Sequence, residues 1–157
     1  MRLYLVQHGE AESEEVDPAR PLSETGRSDV AKVARFLAAG GLQVNQVLHS
    51  GKLRAEQTAA LLAAALAPGR MAVARAGLHP KDPTDDIARA VAVWDQDAML
   101  VGHLPFMARL VSRLVAGRDD AGVVGLEPGT IVCLERSDRQ RWTIAWMVRP
   151  ELVPNGA

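Results

Sequence analysis

The chain alternates between two periodicities, and that alternation limits its fold more than any other property. Short apolar runs at residues 2–6, 46–49 and 98–101 suit buried strands. Helical patterns follow them. In residues 23–39, Val30, Val33, Ala34 and Leu37 recur at the spacing of one helix face, with Ser23 placed to cap the start and Gly40-Gly41 to stop the end. Residues 52–66 put Thr58, Leu61, Leu62, Ala65 and Leu66 on one face, and Pro68-Gly69 lies beyond. Residues 84–94 read as a helix capped by Thr84. Residues 105–115 read as another, with Pro105 in the first turn and Met107, Leu110, Val111 and Leu114 aligned. Residues 71–74 are a further short strand, and residues 130–135 and 142–147 form a hairpin across the polar turn RSDRQ. On strict alternation Trp142, Ile144 and Trp146 share one face of the last strand. Strands alternating with helices predict a three-layer α/β/α fold around a central, mostly parallel sheet, with antiparallel pairing from the hairpin.

The 157 residues suit one domain with a full core and leave no room for a large second lobe. We expect a single domain over residues 1–149 and a fraying tail over 150–157, where two prolines and a glycine collect. The balance of 18 Lys+Arg against 19 Asp+Glu gives no basic field, which argues against a nucleic-acid partner. The apolar run at the N-terminus stops at Val6, too soon for a secretory signal. The alanine-rich run at 59–67 is far short of a membrane span, so no membrane partner and a cytoplasmic location are expected. A single cysteine, Cys133, excludes an internal disulfide and a cysteine-rich zinc site. It falls in a strand and is expected to be buried and inert. No His/Asp/Glu spacing presents paired metal ligands, so no metal site is expected.

Ligands of open α/β sheets bind beyond the carboxyl ends of the strands. The residues just after the strands are therefore informative. The first is followed by Gln7-His8-Gly9-Glu10, the second by Ser50-Gly51 and then Arg54 in the opening turn of a helix, and the 98–101 strand by Gly102-His103-Leu104-Pro105. Arg54 is badly placed for the helix dipole, which favours anions at that end. Two imidazoles, a guanidinium and helix N-termini together suit phosphate. In such a setting one histidine can attack phosphorus while the other stabilises the transferring group if it is protonated. His49 is read as a solvent-facing strand end, and His79, before Pro80, as a turn residue.

These segments carry a resemblance. Leu5-Val6-Gln7-His8-Gly9-Glu10 resembles the Arg-His-Gly signature of the histidine phosphatase (phosphoglycerate mutase-like) superfamily. His49-Ser50-Gly51-Lys52-Leu53-Arg54-Ala55-Glu56-Gln57-Thr58 resembles its Ser-Ser-Pro and Arg-Ala-x-Gln-Thr motif. Val101-Gly102-His103-Leu104-Pro105 resembles its Gly-His-x-Pro motif, and Arg20-Pro21-Leu22-Ser23-Glu24-Thr25-Gly26 its Leu-Ser/Thr-x-x-Gly helix start. The short length and the Arg-Pro-Leu-Ser run are similar to the compact SixA-type phosphohistidine phosphatases. The resemblance implies His8 as nucleophile, Arg54 and His103 as phosphoryl contacts, and Gln7, Gly9, Arg20 and Ser50 around the substrate. It implies no cofactor, no large cap insertion, and a phosphohistidine-bearing protein as substrate. A small phosphomonoester is the second choice, and a phosphate-binding module without turnover the third.

The chain departs from the pattern at three places. Gln7 stands where the family has its first arginine. A lost charge-assisted bond costs about 1.5–3 kcal/mol, and Arg20 is expected to compensate in part. His49 and Gly51 replace the usual serine and proline. No general acid is evident: Glu10, Asp82, Asp85 and Asp86 are the candidates, and a departing imidazole needs less help from an acid than an alkoxide does.

Overall fold

The computed structural model describes residues 1–156. The elements follow in chain order as β1 (Arg2–Gln7), α1 (Glu24–Ala39), β2 (Gln46–His49), α2 (Leu53–Leu66), β3 (Val73–Ala74), α3 (Asp85–Ala92), β4 (Ala98–Gly102), α4 (Phe106–Ala116), β5 (Ile131–Arg136) and β6 (Trp142–Val148). The six strands form one open sheet in the order β3-β2-β4-β1-β5-β6. β1 to β4 pair in parallel, and β5 runs antiparallel to both β1 and β6. The fold is the three-layer α/β arrangement expected from the periodicity.

Strand alternation builds the two cores. Tyr4, Val6, Met99 and Val101 turn to one face and pack with Val30, Val33, Leu37, Leu62 and Leu66 of α1 and α2. Leu3, Leu5, Ala98 and Leu100 turn to the other and meet Ile87, Val91, Met107, Leu110 and Val111 of α3 and α4. β1 and β4 are buried on both faces, so they read as continuous apolar runs. Cys133 is fully buried in β5, and burial pushes its thiol up to about 11.

Three local expectations are corrected. Trp142 joins the Leu3 side of the sheet while Trp146 packs on the Tyr4 side. The pairing of β5 with β6 slips between Cys133 and Leu134, and the bulge adds one residue to the alternation. Thr84 precedes α3 but does not cap it: its hydroxyl donates to Asp119 at 2.8 Å, and Asp85 and Asp86 supply the acidic first turn. The first residues of the tail, 150–153, are tied down. Pro150–Leu152 form a 3-10 turn, Pro150 presses on Gly129, and Val153 is buried beside α1. Among the described residues no helix is long and apolar enough to cross a membrane.

Candidate active site

The order β2-β4-β1 puts the carboxyl ends of three parallel strands side by side, with Gln7 in register with Gly102 and His49 with Val101. His8, Ser50 and His103 therefore leave the sheet as neighbours. The His8 backbone N–H donates to Gly102 O at 3.0 Å, fixing the turn after β1 to the end of β4. The two imidazoles stand 5.0 Å apart, centroid to centroid, at 58°. The Ser50 hydroxyl lies 2.6 Å from His103 Nε2.

His8 has a defined tautomer. Its Nδ1 lies 2.7 Å from Gly9 O, and a carbonyl only accepts, so Nδ1 carries the proton and Nε2 keeps its lone pair. Burial is the main cause that pushes His8 down to about 4, with the charges of Arg54 and Arg20 adding to it. Burial likewise brings His103 to about 3, helped by His8, Arg54, Lys52 and His79. Both rings are neutral at pH 7 in the unliganded chain. The stabilising charge expected on the second histidine would have to arrive with the anion.

Arg54 enters from the first turn of α2. Its Nε is buried without a partner, as is His103 Nδ1. Gln7 Oε1 is also buried and unpaired; a half-turn of the amide would present its NH2 instead. Burial lowers Arg54, and Arg20 lowers it further, so the Arg20 charge acts on both Arg54 and His8. Arg20 holds a left-handed backbone with φ 49°, an uncommon state for a residue with a Cβ. Its Nε donates to Glu12 O at 3.0 Å. The Leu22 N–H, two residues on, donates to Gln57 Oε1 at 2.7 Å, which ties this loop to α2.

Gly9 is required by space. A Cβ there would sit 2.8 Å from Val30 Cγ2. Its N–H donates to Thr58 Oγ1 at 3.0 Å, and that hydroxyl donates to Arg54 O at 2.7 Å. Thr58 and Gln57 thus hold the site together. The sequence shows them only as members of a motif, and their types, buried hydroxyl and long amide, were the available signal.

The departures at His49 and Gly51 belong together. Gly51 has φ 91°, closed to proline, and its N–H donates to His49 Nδ1 at 3.0 Å. His49 is buried rather than solvent-facing, and it braces this turn. His79 takes the turn position expected of it, with the Asp82 N–H donating back to its carbonyl at 3.2 Å. It is exposed at the rim, and its Nε2 donates to Ser50 O at 3.1 Å. Of the acid candidates, Glu10 accepts from the Ser23 hydroxyl at 3.1 Å, Asp82 accepts the His79 N–H at 2.9 Å, Asp85 pairs with Arg113 at 2.6 Å, and Asp86 lies 3.9 Å from Arg75. Among the described residues no three His, Cys, Asp or Glu side chains gather as a metal site would require.

Paired histidines and the charges of two arginines meet at the carboxyl edge of a parallel sheet, the layout of an α/β protein whose fixed donors suit an oxyanion. The sequence model of the histidine phosphatase superfamily (branch 1) matches residues 3–79. An uncharacterized protein from Picosynechococcus sp. is 30% identical over 155 residues, covering 89% of this chain and 93% of the relative. Among solved structures, the protein histidine phosphatase SixA complexed with tungstate is similar at a TM-score of 0.84 and 22% identity, covering 96% of this chain and 97% of that one. Phosphoserine phosphatase from Entamoeba histolytica, in complex with 3-phosphoglyceric acid, is similar at 0.73 and 12% identity, covering 93% and 95%. The chain belongs to the histidine phosphatase superfamily.

Proposed function

We propose that this protein is a phosphatase that works through a covalent phosphohistidine on His8, and that its substrate is phosphohistidine on a protein. The observation that carries the reading is the His8 tautomer. With Nδ1–H given to Gly9 O, the neutral ring offers its Nε2 lone pair beside the Arg54 Nε–H, buried without an acceptor, and His103, whose buried Nδ1 has no partner. A phosphoryl group would supply that acceptor. Arg54 binds its oxygens, Arg20 adds a second positive charge in place of the missing first arginine, and the Gln7 amide, Ser50 and backbone N–H groups complete the cradle.

His8 Nε2 attacks phosphorus and the leaving group departs. Water then attacks the phosphoenzyme, and the His8–P bond breaks with its electron pair returning to Nε2. As the dianion binds, it draws a proton onto His103, which then shares the charge of the transferring group.

A protein substrate is supported by the likeness to the protein histidine phosphatase SixA and by the exposed Leu104 beside His103. The test is to incubate the protein with a labelled phosphodonor, quench it, and locate the label. Acid-labile, base-stable phosphate on His8, absent in His8→Ala, is expected. Donor binding with neither label nor phosphate release would overturn the reading in favour of a binding module. Faster turnover of phosphohistidine protein than of small phosphomonoesters is expected, and the reverse order would move the substrate to the second class.

A further inference from the structure

The missing proton donor has a candidate at the rim. Resting on the reading of His8 as nucleophile, we propose that His79 is the general acid of this site, a catalytic residue that protonates the leaving atom from Nε2. Its position follows from its neighbours. Leu78 is fully buried in the core beneath the loop, and Pro80 restricts His79 to extended backbone. The His79 side chain is thereby held out over the end of β2, where Nε2–H rests on Ser50 O at 3.1 Å. The hydroxyl of the same Ser50 is 2.6 Å from His103 Nε2, so one residue separates His79 from the paired histidines.

The carboxylates are engaged elsewhere, as described. Asp82 takes the His79 backbone N–H and thereby holds the loop, and Arg109 donates to Asp82 O at 3.2 Å from α4. The His79 ring meets the Ser50 carbonyl, while Asp82 meets its backbone N–H and Lys52 acts, as His79 does, on His103. The charge of His79 is felt at His103.

The proton balance closes. In the first step His8 Nε2 bonds to phosphorus and the bond from phosphorus to the leaving nitrogen or oxygen breaks. The leaving atom keeps the electron pair and takes the proton from Nε2 of the His79 imidazolium, which becomes neutral with its proton on Nδ1. In the second step water attacks, the P–N bond to His8 breaks, and the water proton passes to His79 Nε2. The imidazolium is restored and inorganic phosphate leaves.

The test uses His79→Gln, whose side-chain NH2 can keep the bond to Ser50 O but cannot act as an acid, beside His79→Ala. Both are assayed on aryl phosphates of rising leaving-group basicity. Both variants should lose kcat/KM increasingly along the series, by about 100-fold at the basic end. Both should also lose the limb of the wild-type profile that falls as pH rises. A rate restored by His79→Gln, or an equal loss across the series in both variants, overturns the proposal, since each reports an anchor and not an acid. Labelling of wild-type His8 is measured in parallel. Its absence means the underlying phosphatase reading has failed, whereas labelled His8 with an unchanged leaving-group dependence removes the role of His79 alone.

Discussion

Thr58 Oγ1 accepts the backbone N–H of Gly9 at 3.0 Å across 49 positions of sequence, and its own hydroxyl donates to Arg54 O at 2.7 Å. One hydroxyl therefore sets the distance between the turn that carries His8 and the helix start that carries Arg54. Thr58→Val keeps the shape and removes both bonds. It leaves the buried Gly9 N–H unpaired, at a cost of about 1–3 kcal/mol, read as a lower denaturation midpoint. Because the two groups lose their common anchor, kcat should fall and KM rise together. Loss of stability with unchanged kinetics would contradict this role.

The two depressed histidines make a pH prediction with a defined sign. In the unfolded chain both titrate near 6.5, whereas in the folded, unliganded chain they lie at about 4 and about 3. Between those values the unfolded state binds more protons, so stability rises with pH there. It is fully present above about 6.5 and is lost as pH falls toward 3–4. Thermal melts should show this slope, and His103→Gln should flatten it. An oxyanion reverses the bias, so tungstate binding near pH 6 should take up protons, seen as a dependence of binding heat on buffer ionisation enthalpy.

Arg20 combines a left-handed backbone with a charge that reaches His8 and Arg54. Arg20→Gly relieves the backbone while deleting the side chain. The variant should melt at or above the wild-type temperature, yet bind vanadate about 10–100-fold more weakly, the equivalent of one charge-assisted bond of about 1.5–3 kcal/mol. An unchanged affinity would show that Arg20 is only a surface cation.

Gly26 lies against the loop that follows His8. A Cβ there would come within 2.0 Å of Glu10 O, a backbone atom that cannot step aside. Gly26→Ala should cost about 3 kcal/mol or more and reduce activity, because α1 must move off residues 9–10. Gly40→Ala is the control. Its added carbon meets only carbonyl oxygens at 3.4 Å and beyond, at φ −78°, so its stability should be near wild type.

The layered fold was legible because strands buried on both faces and helices with one apolar stripe leave distinct spacings. Residues 2–6, 23–39, 46–49 and 98–101 of the sequence reading lie within a residue of β1, α1, β2 and β4. The convergence of His8, Ser50 and His103 also followed, because three adjacent parallel strands end there. What escaped was set by single long-range contacts. Counting alternate residues cannot detect the extra residue that separates Trp142 from Trp146. A capping threonine is indistinguishable from one whose hydroxyl turns to Asp119, 35 positions on. His79 sits in the turn that the sequence indicates, but nothing in its local sequence shows that its ring also meets the Ser50 carbonyl after β2.

The turn at Pro150 has a practical side. Gly129 N–H reaches both Gln7 O and His8 O, at 3.0 and 3.1 Å, and Pro150 Cγ stands 2.9 Å from where a Cβ on Gly129 would be. The 3-10 turn at Pro150–Leu152 therefore backs the peptide of His8 itself. Shortening the gene to codon 149 for expression would strip that backing and blunt the enzyme while leaving every residue of the cluster in place. An affinity handle is better fused where it does not pull on Val153.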